Sequence, residues 1–203
     1  MTKAEKIGRN NRSKARTRAQ LMTAGRKLLV TKGLTGVSVQ QITEEADVGL
    51  GSFYNYFDSK MDVLKAVADE YLEGYDLAVT QLVSELSDPA EIVCVSCRYI
   101  LSQALEKQSF AIIKQMPNDY IIDRISRRAV RDMKIGIKTG RFEVEHPEIN
   151  AKYSTGGILG IMELYSRSEV NAEEINYAVI MYLQSLGVDK KEAVSLVKKP
   201  MPS

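Results

Sequence analysis

Apolar residues along this chain recur at steps of three and four almost from end to end, which is the period of helices packed on one face. Leu21, Met22, Ala24, Leu28 and Leu29 give the first helix, over 13–32, an apolar stripe, and Gly33 follows as a helix-stopping glycine. Ser38 reads as the N-cap of a short helix through Ala46, and Asp47-Val48-Gly49 as a turn. A third short helix is expected over 50–57. Ser59 then caps a long fourth helix, with Asp62 in its first turn. Leu64, Val67, Tyr71, Tyr75, Val79, Leu82 and Leu86 form one stripe and carry that helix to Ser87. Asp88-Pro89 opens the next helix. Further helices are predicted over 89–107, 110–117, 119–138, 147–167, 172–186 and 190–198. Residues 1–12 lack an apolar stripe and read as a flexible basic arm. The fold class is all-α, with an N-terminal three-helix domain over 1–60 and a helical body over 61–203.

Charge changes the picture because it is uneven. The net charge is +2, yet residues 1–57 carry +6 and the remainder −4. A basic end on a mildly acidic body is the electrostatic footprint of a nucleic-acid binder, although a solvated charged face is the blander reading. No apolar run is long enough to span a bilayer, and Met1–Gln20 has no apolar core of the secretory kind, so a cytoplasmic location without a membrane partner is expected.

Candidate chemistry is sparse. Cys94 and Cys97 form a C-x-x-C one helical turn apart, which reads as two small core residues, a metal site or a redox pair. A zinc site needs more ligands than these, and the single histidine, His146, is distant and reads as a loop residue before Pro147. No strand pattern accompanies the pair, as a thioredoxin-like motif requires. With no phosphate-binding glycine loop, metal cluster or nucleophile–base set, neither an enzyme nor a cofactor is expected.

The informative stretch is Val39–Ala46 and Leu50–Phe57, two short helices around a glycine-containing turn, the form of a helix-turn-helix. Phe53 and Phe57 are four apart and anchor the second helix. Ser52, Tyr54, Asn55 and Tyr56 are then left outside, in a pattern suited to phosphates and base edges.

These residues carry a family resemblance. Residues 18–63, through Arg18–Gly33, Val37–Val48 and the run Gly49-Leu-Gly-Ser-Phe-Tyr-Asn-Tyr-Phe-Asp-Ser-Lys60, resemble without a gap the DNA-binding domain of TetR-family transcriptional regulators. The resemblance implies a homodimer on double-stranded operator DNA. It implies that Ser38 binds a phosphate and that Gln40 and Gln41 lie near bases or backbone. Gly49, Leu50, Gly51 and Ser52 would sit where the recognition helix meets the major groove. Tyr54, Asn55 and Tyr56 would contact phosphates or bases, and Lys60 a phosphate. Gly49 and Leu50 depart from the pattern, replacing a hydroxyl and a polar or basic residue, which removes hydrogen-bond donors. Gly25 stands mid-helix where alanine is usual.

The rest of the chain resembles the family in helix layout alone. That layout implies a C-terminal domain for ligand binding and dimerisation, with a small-molecule effector of unknown identity. Tyr71, Tyr75, Tyr99, Phe110, Met116, Tyr120, Met133 and Met162 are the soft and aromatic residues expected around the ligand. Ser154, Thr155, Gly156, Gly157 and Gly160 on the helix from Pro147, with the apolar helix after it, suit a four-helix interface across a two-fold axis. The function expected is a repressor released from a palindromic operator by that ligand. The alternative is a constitutive DNA-binding protein without an effector.

Overall fold

The computed structural model describes residues 3–103, 107–167 and 171–202. Among these there are ten helices and no strand. They are α1 (Lys3–Lys32), α2 (Val39–Glu45), α3 (Leu50–Phe53), α4 (Lys60–Leu82), α5 (Pro89–Ser102), α6 (Lys107–Ile113), α7 (Asn118–Lys138), α8 (Pro147–Ser166), α9 (Ala172–Ser185) and α10 (Lys190–Lys198). No described helix is long and apolar enough to cross a membrane.

Four boundaries differ from the periodicity. The helix of α1 already runs from Lys3, through the stretch expected to be a flexible arm. No proline interrupts it there, and once a helix is nucleated each further residue adds at little cost, even without an apolar stripe. The third helix is only four residues long. Beyond it Asn55 N–H donates to Ser52 O and Tyr56 N–H to Phe53 O, so the chain tightens into a three-residue turn. The fourth helix ends at Leu82 rather than Ser87, and turns occupy 83–85 before the next cap. The sixth already covers Lys107 and ends at Ile113. Gln115 and Met116 donate three residues back, to Ile112 and Ile113, as the helix unwinds toward Pro117. The expected end of the fifth helix, near residue 107, runs into 104–106, outside the described residues.

The chain forms two compact units: residues 1–71 with 111–116, and residues 72–110 with 117–203. The first unit therefore extends beyond residue 60, because the first turns of α4 belong to its core. Leu21, Leu29, Ile42, Phe53, Val63, Leu64 and Val67 are all fully buried. Gly25 belongs to this packing: a Cβ there would overlap the γ-carbon of Val63, so the helix-weakening glycine admits α4 against α1. The unit is completed from far along the chain. The Gln115 side-chain oxygen accepts from Leu34 N–H at 2.6 Å, and its nitrogen donates to Leu29 O at 3.1 Å. These bonds close the C-terminus of α1, where Gly33 takes a φ of 70°.

In the second unit α5 is central and packs against α7, α8, α9 and α10. Cys94, Cys97, Leu101, Phe110, Met133, Met162, Val179, Leu183 and Leu186 belong to one buried cluster. Asp88 caps α5 by accepting from Ala90 N–H, with Pro89 in the first turn. Arg141 bonds the same carboxylate at 2.8 Å and also pairs with Glu192.

Candidate DNA-binding surface

The surface is built from α2, the turn after it, α3 and the start of α4. Ser38 begins α2 with a reciprocal cap: its hydroxyl accepts from Gln41 N–H at 3.2 Å, and the Gln41 side chain accepts from Ser38 N–H at 3.0 Å. Ser38 and Gln41 are thereby fixed, while the Ser38 hydroxyl proton and the Gln41 amide N–H groups remain available as donors. The Gln40 amide donates to Glu44 at 2.9 Å.

The turn between α2 and α3 closes through Val48 N–H to Thr43 O at 3.0 Å and Asp47 N–H to Glu44 O at 3.2 Å. This is the six-to-one and five-to-two pattern of a Schellman end. Its left-handed residue is Asp47, with φ 53°, whereas Gly49 is extended at φ −62°. The turn glycine in the sequence is thus not the residue whose conformation makes the turn.

Phe53 and Phe57 are buried, with ring centroids 5.9 Å apart, and the guanidinium of Arg18 lies 5.3 Å from the centre of the Phe57 ring. That anchoring turns the rest of α3 outward. Gly49, Leu50, Gly51, Ser52, Tyr54 and Asn55 are exposed and Tyr56 is half-buried. Leu50 keeps 50% and Tyr54 57% of its surface.

Lys60 is more constrained than a surface lysine. Its ammonium donates to Leu34 O and to Val37 O, both at 2.7 Å, which pins the α1–α2 connection to the start of α4. Two of its three N–H donors are used in this way, leaving one for an outside acceptor. Lys60, Ser38, Gln40 and Gln41 share a shallow groove with Thr35, Gly36 and Ser59. Gly49 and Leu50 share a second one with Gln40, Thr43 and Asp47. Thr35 and Gly36 escape a reading by motif. The only sequence signal for them is the spacing of Gly33 and Gly36, and a Cβ at Gly36 would strike Lys32 O.

The residues expected around a ligand divide between the units. Tyr71 and Met116 belong to the first, where Arg26 covers the Tyr71 ring at 5.3 Å and Met116 is buried. Tyr75, Tyr99, Phe110, Tyr120, Met133 and Met162 belong to the second. There Phe110, Met133 and Met162 are core residues and the three tyrosines are half-buried. Cys94 and Cys97 are unpaired and buried. Burial pushes the Cys94 thiol up to about 11 and raises that of Cys97 as well, so both stay protonated and are poor nucleophiles at neutral pH. Among the described residues no group of three or more His, Cys, Asp or Glu side chains comes together as a metal site would require.

An anchored helix-turn-helix with its polar edge outward, in a chain that also carries a separate helical unit, defines the class of helix-turn-helix regulatory proteins. Residues 21–67 match the family described as bacterial regulatory proteins, tetR family, and residues 88–199 match the tetracyclin repressor-like C-terminal domain. The chain belongs to the TetR family.

Among curated relatives, it is 40% identical over 57 residues to an uncharacterised HTH-type transcriptional regulator in the lacX 3' region of Lactococcus lactis, covering 28% of this chain and 29% of that one. It is 31% identical over 74 residues to the HTH-type transcriptional repressor NemR of Escherichia coli strain K12, covering 36% and 37%. The matched stretch thus spans about a third of the length of these curated relatives. Likeness to solved structures covers much more. RolR in complex with resorcinol superposes with a TM-score of 0.78 at 29% identity, covering 95% of this chain and 98% of that one. A TetR-family regulator from Syntrophomonas wolfei superposes with a TM-score of 0.71 at 21% identity, covering 91% and 98%, and shares the fold.

Proposed function

We propose that the chain is a homodimeric, sequence-specific transcriptional repressor of the cytoplasm. It binds palindromic double-stranded operator DNA through Ser38–Lys60 of each subunit and is released by a small-molecule effector. The observation that carries this reading is the geometry of α3. Phe53 and Phe57 fix it to the core, and Leu50, Ser52, Tyr54 and Asn55 stand outward, in the same unit as the donors of Ser38, Gln41 and Lys60. Phosphate contacts from the α2 cap and Lys60 would set the register, and the α3 side chains would read base edges.

The second unit supports a dimer. On α8, Ile149, Tyr153, Gly157, Gly160 and Leu164 are exposed at helical spacing, with Tyr153 at 79%. On α9, Tyr177 and Met181 are exposed one turn apart. Apolar stripes of this length are rare on monomers, and the glycines allow close helix approach. RolR, similar along nearly the whole chain, has a structure in complex with the ligand resorcinol, which supports a small organic effector here. Tyr75, Tyr99, Phe110, Tyr120, Met133 and Met162 are the residues we assign to its site. Effector binding and operator binding would oppose each other by the same factor.

Selection of bound duplexes from a randomised pool tests this reading. The expected outcome is an inverted repeat whose half-sites are separated by one DNA turn, roughly 34 Å, or a multiple of it. Enrichment of no sequence contradicts it. Gly160→Arg is expected to sediment as a monomer and to lose operator affinity.

A further inference from the structure

Leu50 is a large apolar side chain left half exposed at the first position of α3, with Tyr54 exposed one turn on. It is flanked by two glycines that this fold does not demand. A Cβ added at Gly51 would meet nothing within 4 Å, and one at Gly49 would meet only Ser52 Oγ, at 3.9 Å. Neither glycine has a positive φ. Gly25 and Gly136 are different: each leaves room for a side chain, Val63 or Phe142, packed against its backbone. Glycine is the least favourable helical residue apart from proline, so Gly51 weakens a four-residue helix with no gain inside the chain. Its position makes sense against something outside it. Bare backbone on both sides leaves Leu50 standing alone and able to approach a partner surface closely.

That partner, on the reading above, is the major groove. Leucine can neither donate nor accept a hydrogen bond. The apolar feature that a base pair presents in that groove is the C5-methyl group of thymine. We propose that Leu50 of each subunit packs on a thymine methyl, so that each half-site is read partly by apolar contact, with Gly49 and Gly51 giving the clearance. This inference rests on the DNA-binding reading and specifies what one position of the site recognises.

The test uses the duplex enriched from the randomised pool. Each thymine is replaced in turn by deoxyuridine, which keeps the hydrogen-bonding edge and removes only the methyl. One symmetry-related pair of replacements is expected to weaken binding, by about fourfold for one half-site and about fifteenfold for both, the worth of one buried carbon each. In Leu50→Ala the thymine-to-uracil ratio at that position should fall to about one while other positions keep theirs. Gly51→Ala should melt no lower than the wild type and yet bind the site more weakly. Binding unaffected by every uracil replacement, or a uracil penalty that persists in Leu50→Ala, overturns the methyl contact and leaves the DNA-binding reading standing. If the pool yields no enriched site, both fall.

Discussion

Val63 of α4 rests directly on the bare backbone of Gly25 in α1, so closely that a Cβ on Gly25 would lie inside its γ-methyl. Val63 is fully buried and β-branched, and cannot rotate away freely. Two effects compete in Gly25→Ala. The gain in helix propensity is up to about 1 kcal/mol, and overpacking costs about 1–3 kcal/mol. The expected net result is a loss of roughly 1–2 kcal/mol in urea unfolding. Adding Val63→Ala should make the cycle non-additive, because the second change removes the clash created by the first. A Gly25→Ala protein more stable than the wild type would show that the contact does not constrain the helix pair.

Asp47 holds the left-handed position of the turn between α2 and α3, with φ 53°. Glycine occupies that region without steric cost. Asp47→Gly should therefore raise stability by about 0.5 kcal/mol, the conformational gain being partly offset by a freer unfolded chain. Thermal melting would show this as a rise of about 1–2 °C. A fall would mean that the aspartate side chain stabilises the turn by contacts of its own.

Lys60 and Asn55 should separate positioning from readout. Removing the Lys60 ammonium frees two carbonyls that it now holds at 2.7 Å. Lys60→Met is expected to lose about 1–3 kcal/mol of stability and to weaken binding to all duplexes alike. Asn55 is exposed, so Asn55→Ala should leave the melting temperature unchanged and alter base preference. Uniform weakening by both, with equal stability, would contradict the division of roles.

Asp88 gives a pH signature. Partial burial works against its ionisation. The hydrogen bond from Arg141, the Ala90 N–H and the guanidinium charge outweigh that and hold the carboxyl below its ordinary 3.8. A depressed folded value means that the ionised group adds stability above the ordinary carboxylate range and loses it as pH falls through the folded value. Asn also caps helices well, so Asp88→Asn removes the charge and keeps the cap. The variant should be less stable by about 1 kcal/mol at neutral pH, as suits a half-exposed ion pair. That gap should close once the pH drops below the folded value. A gap independent of pH would mean that the pairing charge contributes nothing.

What was legible in the sequence is what local chemistry decides. Gly33, the Ser38 cap, Asp88-Pro89 and the Phe53/Phe57 anchor depend on neighbours within a turn, and each stands where the pattern puts it. The ends of α3 and α4 were less legible because a helix can tighten or unwind without losing its apolar spacing. The tether of Lys60 to Leu34 and Val37 lies beyond any local pattern, as does the closure of α1 by Gln115, 81 residues from its partner Leu34. Tyr71 and Tyr75 share one stripe of α4, yet they belong to different units. Periodicity marks the side of a helix that is buried, but not the partner that buries it.

The most direct measurement is the ratio of affinities for the selected inverted repeat and for a shuffled duplex of the same composition, titrated at about 0.15 M salt, where nonspecific phosphate attraction is damped. A ratio of at least about 10³, the range of specific regulators, is expected, carried by exposed residues of α3 and the turn after it and lost in Asn55→Ala combined with Leu50→Ala. A ratio near one, with both affinities falling together as salt rises, would contradict sequence-specific recognition and leave a basic helical protein that binds DNA by charge alone.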